Sequence, residues 1–248
     1  MGTKVTTVIN PTYQAIAPFI ASIPDIFHRT GNTIYKERNE IKVMKTGDLT
    51  VNVKQYKKPI FINRLIYSFL RPSKAERAYK YALKISKIGI ATPTPIAYII
   101  INKNGLISLS YLITVQSDLK RNFYEFGKGG IEERKKIIQD LAVFTADMHQ
   151  KGVYHKDFSP GNILFDTTPD GHTQFSIVDI NRMQFGEVSI KKGCENFARL
   201  WGKKDMFELL AQSYAKERKA DPKKCIEWTL NAREKFWKNR KHDFYEYE

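Results

Sequence analysis

Cysteine is scarce: Cys194 and Cys225 are the only two in 248 residues. Neither lies in a Cys-x-x-Cys pair or near a histidine at metal-ligand spacing. That excludes a disulfide framework and a zinc module, and the expectation is two buried, reduced thiols in keeping with a reducing cytoplasm. Long apolar runs are missing too. The most apolar stretches, Leu65–Leu70 and Pro95–Ile101, are far too short to span a bilayer. Met1–Asn10 is polar with Lys4 as its only charge, and Tyr13–Phe27 is interrupted by Pro18 and Pro24 and carries Asp25, so no secretory signal is expected. No internal repeat or low-complexity block occurs. Acidic residues are few beside basic ones, 26 against 41, for a net charge of +15. Such a surface attracts phosphates, anionic lipid or nucleic acid, and composition does not choose among them. No Cys/His finger and no RNP-like aromatic strand is present, so nucleic acid is not an expected partner.

What is there is an ordinary globular supply of apolar residues, 42%, with 12% aromatics. That suffices for one large domain or two small lobes sharing a cleft. The first half reads as strand-rich. Thr33–Met44 and Leu49–Tyr56 flank Thr46-Gly47-Asp48 as a hairpin, with Val51 and Val53 facing inward. Ser73 with Glu76 three residues on forms the start signal of a helix that ends at Gly89. Thr92-Pro93-Thr94-Pro95 is a stiff connector, and Ile96–Asn102 and Leu106–Val115 are strands joined at Asn104-Gly105. From about residue 116 the character changes. Ile131–Lys151 is an amphipathic helix with Ile137, Ile138, Leu141, Phe144, Thr145 and Met148 on one face. Two short strands follow, Ile163–Phe165 and Phe175–Val178, around the turn Thr168-Pro169-Asp170-Gly171. Glu195 to the end is helical and basic. The expected class is α+β, an antiparallel-sheet lobe over 1–115 that includes an N-terminal extension, then a mainly helical lobe over 116–248.

Transfer of phosphate from ATP needs a carboxylate to orient the attacking hydroxyl, oxygen ligands for Mg²⁺ on the phosphates, and a cation to steady their charge. Each has a candidate. In His155-Lys156-Asp157-Phe158-Ser159-Pro160-Gly161-Asn162, Asp157 can face the hydroxyl while Asn162 turns back to the metal. His155 braces the loop through hydrogen bonds, and Ser159-Pro160-Gly161 supplies the bend. Asp179 ends the apolar strand Phe175–Val178, which places a carboxylate at a sheet's edge as the second metal ligand. The cation is Lys54, alternating with Val51 and Val53 on its strand and similar to the Val-Ala-Ile-Lys strand of kinases.

Tyr154–Phe165 followed by Val178-Asp179-Ile180-Asn181-Arg182 resembles the lipopolysaccharide core kinase family, which covers Kdo and heptose kinases of Gram-negative bacteria. Ser73–Tyr79, Gly89–Pro95 and Asn196–Trp201 carry the resemblance into other segments, from about Thr33 to Trp237. It implies a two-lobed protein-kinase-like fold, ATP with Mg²⁺ and a sugar hydroxyl as acceptor; the reduced cysteines and short apolar runs add the expectation of a cytoplasmic protein, soluble or peripheral to the inner membrane. It makes Asp157 the catalytic base, Asn162 and Asp179 the metal ligands, and Lys54 the phosphate-binding lysine. Three departures stand out. Only Gly31 and Gly47 lie near the first hairpin, so there is no Gly-rich phosphate loop. Lys80 stands where relatives often carry the glutamate that pairs with the lysine, leaving Glu76 one turn earlier for that role. Asp179-Ile180-Asn181 replaces the Asp-Phe-Gly of protein kinases. Two further readings use the same residues. A protein kinase would need the Ala-Pro-Glu sequence that is missing, and a pseudokinase would be at odds with the retained Asp157, Asn162 and Asp179. Finally, Lys57–Arg71 interleaves basic with apolar residues as a helix resting on an anionic membrane would.

Overall fold

The computed structural model describes residues 2–58, 64, 67–68, 71–241 and 245–247. The basic, apolar stretch from Lys57 to Arg71 falls for the most part outside the described residues. By its contacts the chain divides into two compact units, residues 1–87 with 92–118, and residues 88–91 with 119–248.

The first unit is built on a six-stranded antiparallel sheet of order β1-β5-β6-β4-β3-β2. Its strands are β1 (Thr3–Ile9), β2 (Asn32–Lys36), β3 (Asn39–Thr46), β4 (Leu49–Tyr56), β5 (Pro95–Lys103) and β6 (Leu106–Val115). The single strand expected over Thr33–Met44 is two. Glu37 and Arg38 turn the chain so that Lys36 faces Glu40 across β2 and β3. No Gly, Pro or Asn-Gly pair marks that turn, so the alternation ran through it. The β3–β4 hairpin closes at the expected place, with Thr46 opposite Leu49. At the β5–β6 connection Asn104 and Gly105 both have positive φ, 54° and 77°, as a two-residue turn between twisted strands demands.

The N-terminal extension is part of this unit. β1 pairs along its whole length with β5, and helix α1 (Ala17–Ile26) follows. Pro18 does not disturb the helix because the first turn has N–H groups to spare. Ile20, Ile23 and Phe27 are fully buried against Val51, Val53, Ile99 and Ile113. Each is worth roughly 1.5–3 kcal/mol of burial. The other sheet face holds helix α2 (Lys74–Lys87), where Ala75 and Tyr79 pack on Tyr56 and Tyr98. The α2 start is capped as expected, Glu76 N–H donating to Ser73 Oγ at 3.1 Å.

The second unit is mainly helical. Helix α3 (Lys135–Gln150) begins after a single 3-10 turn at Glu132–Arg134, shorter than the Ile131–Lys151 span read from periodicity. Its buried face is Ile138, Leu141, Ala142, Thr145, Ala146, Met148 and His149. It packs on α5 (Lys204–Glu217), which packs on α6 (Pro222–Trp237). A short α4 (Ile190–Glu195) and a 3-10 turn (Asn196–Arg199) precede them. Two small antiparallel sheets complete the unit. β7 (Arg121–Asn122), β9 (Ile163–Thr167) and β10 (Thr173–Ile177) form one, and β8 (Val153–Tyr154) with β11 (Gln184–Phe185) the other. Cys194 and Cys225 are both buried free thiols. Among the described residues no helix is long and apolar enough to cross a membrane.

Candidate active site

The loop from His155 to Asn162 leaves β8, and the chain returns to β8 through β11. Tyr154 faces Gln184 and Val153 faces Phe185, so the ribbon clamps both ends of the segment between them. Inside it, hydrogen bonds hold each position. Asp157 N–H donates to His155 Nδ1 at 3.2 Å, and His155 Nε2 lies 2.9 Å from the Val178 carbonyl. A backbone N–H and a carbonyl on the two ring nitrogens leave one arrangement, a neutral imidazole with its proton on Nε2. Burial lowers the His155 pKa and keeps it in that form. Asn162 Nδ2 donates to the Asp157 carbonyl at 2.8 Å and to Ser159 Oγ at 3.1 Å, which closes the loop on itself and leaves the amide oxygen as an acceptor.

Val178 ties the second strand to this loop. Its carbonyl takes the His155 proton and its N–H donates to the Asn162 carbonyl at 3.0 Å. Asp179 comes next, in the left-handed region with φ 55° and ψ 44°. Such a conformation costs about 1 kcal/mol or more for a residue with a Cβ, and aspartate is one of the few types that tolerate it. Asn181 Nδ2 holds the Asp179 carboxylate at 2.7 Å.

Asp157 has company that local spacing did not announce. Arg182 Nη1 donates to both of its oxygens, at 3.1 and 3.0 Å, and Arg199 Nη1 to Oδ1 at 2.8 Å. The carboxylate is 16% exposed, the two arginines 49% and 36%.

A buried chain of hydrogen bonds supports the loop from below. Arg218 Nη1 donates to Tyr214 Oη at 2.6 Å, Tyr214 Oη lies 2.9 Å from His149 Nδ1, and His149 Nε2 lies 3.0 Å from Asn196 Oδ1. Asn196 Nδ2 then donates to the His155 carbonyl at 2.9 Å. An amide oxygen only accepts, so His149 carries its proton on Nε2 and takes the Tyr214 O–H at Nδ1. Every member therefore donates toward the loop from His155 to Asn162. Burial lowers the His149 pKa to about 4, ahead of the opposing hydrogen bond to Asn196, and burial raises that of Tyr214. Both groups are thus neutral at pH 7. Gly193 makes room for them: a Cβ there would overlap the Tyr214 hydroxyl and lie 2.9 Å from His149 Nδ1. Gly193→Ala is expected to lower stability by about 1–3 kcal/mol or more, read as a drop in the urea midpoint. An unchanged midpoint would show that the chain of bonds is loosely packed.

In the first unit, Lys54 lies on β4 between Ile41 of β3 and Leu112 of β6. It shares the sheet face of Tyr56, and its Nζ sits 5.2 Å from that ring's centroid. Glu76 gives its carboxylate to Lys80 at 2.7 Å, an i,i+4 pair on α2.

The model of the lipopolysaccharide kinase (Kdo/WaaP) family matches residues 29–221, well over half of the chain. The chain belongs to that family. It is therefore an ATP-dependent kinase. No curated protein sequence matches it. A solved structure described as WaaP in complex with acyl carrier protein is similar with a TM-score of 0.60. At 16% identity, over 94% of this chain and 99% of that one, the likeness shows the fold, which is protein-kinase-like. The family match begins after β1 and α1, yet in this kinase β1 pairs with β5 at the sheet edge and α1 packs its Ile20 and Ile23 on the sheet.

Of the residues expected at the site of this lipopolysaccharide kinase, His155, Asp157, Asn162 and Asp179 lie in the second unit on two segments joined by hydrogen bonds, and Lys54 and Glu76 lie in the first. Sequence reading missed Arg182, Arg199, Asn196, His149 and Tyr214 as parts of the site. Arg182, Asn196 and Arg199 lie inside the segments that carried the family resemblance, and that was their only signal. His149 falls on the buried face of α3 one residue after Met148, where a polar residue in an apolar stripe was the available clue.

Proposed function

We propose that this kinase transfers the γ-phosphate of ATP to a sugar hydroxyl of the lipopolysaccharide inner core, on Kdo or heptose. The observation that carries this reading is the family match over the segment in which Asp157, Asn162 and Asp179 are held by one set of hydrogen bonds through Val178. Asp157 accepts the hydrogen bond of the acceptor hydroxyl, aims its oxygen at the phosphorus and takes the proton as the bond forms. His155 keeps the Asp157 backbone in place through Nδ1. Lys54 steadies the ATP phosphates.

Mg²⁺ fits the donors. Asn162 offers an amide oxygen and Asp179 a carboxylate, and among the described residues no group of three or more His, Cys, Asp or Glu gathers into a cage. One or two protein oxygens, with water and phosphate oxygens completing the octahedron, is the coordination Mg²⁺ takes on a nucleotide. When bound it would neutralise phosphate charge as the leaving oxygen departs. A net charge of +15 supports peripheral contact with an anionic membrane that presents a lipid-anchored acceptor.

The test is transfer of label from γ-labelled ATP to a panel of core oligosaccharides, with Asp157→Ala as control. Label is expected on the saccharide and absent with the variant. Label appearing only on protein would make the chain a protein kinase instead.

A further inference from the structure

We propose that Arg182 and Arg199 form an anion-binding pair that reads a negative group on the acceptor itself, a carboxylate or phosphate close to the hydroxyl that is phosphorylated. The inference rests on the proposed saccharide kinase reading and deepens it, by naming which residues select the acceptor and through what chemistry.

The first ground is that the pair is not needed to hold Asp157. The backbone of that residue is already fixed by His155 Nδ1 on its N–H and by Asn162 Nδ2 on its carbonyl. Ion pairs whose arginines are 49% and 36% exposed add little to stability. The second ground is charge. Two guanidiniums against one carboxylate leave a net positive charge beside the group that meets the acceptor. The third is donor capacity. Each arginine commits only Nη1 to Asp157, and Nε and Nη2 of both make no hydrogen bond to the described residues. The Nε and Nη2 edge of a guanidinium is the planar fork that binds a carboxylate or phosphate through two bonds. Arg199 is also held in orientation, its guanidinium carbon 5.2 Å from the centroid of the Phe236 ring.

The consequence concerns the base. Oδ1 of Asp157 accepts from both arginines, so an incoming anion that draws the guanidiniums toward itself frees that oxygen for the acceptor hydroxyl. A neutral sugar of the same shape would have to compete with both arginines for Asp157. The pair therefore favours charged acceptors twice, by binding their anion and by releasing the base only in their presence.

The experiment compares kcat/KM on matched acceptors: a Kdo saccharide with its carboxylate intact or reduced to the alcohol, and a heptose saccharide with a neighbouring phosphate present or removed. The wild type should prefer the charged member of one pair by about 10- to 100-fold, the worth of a charge-assisted hydrogen bond or two. Which pair shows it identifies the anion as carboxylate or phosphate. In Arg182→Gln and Arg199→Gln the preference should shrink to less than about 3-fold, with the loss concentrated on the charged acceptor. Should a glutamine variant fail to fold, the lysine variant at the same position, which keeps the charge and loses the fork, is read in the same way. Equal losses on charged and neutral acceptors would overturn the proposal and make the arginines positioning residues for Asp157. So would a wild type that phosphorylates both members of each pair alike. A wild type that phosphorylates none of the four overturns the saccharide kinase reading as well, a failure distinct from transfer without charge preference.

Discussion

Asp157→Asn is expected to lower kcat by about 10²- to 10⁴-fold, with the KM for ATP little changed. Asparagine keeps the size of the side chain and still accepts through Oδ1, so the loop bonds of His155 and Asn162, which involve the Asp157 backbone, survive. What is lost is the charge that, in the proposed reaction, orients the acceptor hydroxyl and receives its proton. The substitution also removes the anionic partner of Arg182 and Arg199, both of which are partly solvated and can turn to water. The melting temperature should therefore stay within a few degrees of wild type while turnover collapses. Steady-state kinetics beside a thermal melt separates the two. Retained turnover in a folded Asp157→Asn protein would remove Asp157 from the chemistry.

The second large effect is on stability against pH. His149 is buried and neutral, with a pKa lowered to about 4 from its ordinary 6.5. Above pH 6.5 both folded and unfolded chains hold this histidine neutral, and its contribution is constant. Between 6.5 and 4 the unfolded chain binds the proton and the folded one does not, so stability falls as the pH falls. Below about 4 both are protonated and the loss is complete. At about 1.4 kcal/mol per pKa unit the whole window costs on the order of 3 kcal/mol. His155 is displaced in the same direction by the same cause and adds to the fall. Carboxylates titrate in the same range, so the measurement is a difference. Urea denaturation of wild type and His149→Gln at pH 7, 5.5 and 4.5 should show the stability advantage of the wild type shrinking with acidity. A constant difference across that range would mean that His149 is not held neutral by the fold.

The parts of this kinase that could be read from its sequence are those whose chemistry is local. His155, Asp157 and Asn162 lie within eight residues of one another, and a short hairpin brings back Asp179, so spacing alone places them on one loop pair. Lys54 was legible because strand alternation puts it on the face opposite Val51 and Val53. The α2 cap was legible because the Ser73 hydroxyl accepts the Glu76 backbone N–H within one turn. The misreadings were also physical. Thr33–Met44 reads as one strand because the bend at Glu37-Arg38 uses residues with no turn preference. β1 went unseen because its partner β5 is nearly a hundred residues away, and an edge strand with mostly exposed side chains has little pattern of its own.

The partners of the site residues were beyond local reading for a different reason. Arg182 and Arg199 reach Asp157 across 25 and 42 residues, and His149 meets Asn196 and Tyr214 across 47 and 65. A sequence encodes which groups can bond, but among its 41 lysines and arginines no local spacing marks the two that flank Asp157. Their choice depends on where α3, α5 and the 3-10 turn after α4 come to rest, and that is settled by packing in the helical core. The sequence by itself determined the loop, the strand-end carboxylate and the chemistry they suit. Only the tertiary structure decided that Asp157 stands under two arginines and its loop above a chain of hydrogen bonds through the buried, neutral His149 and Tyr214, because those contacts join segments that touch only after the chain has folded.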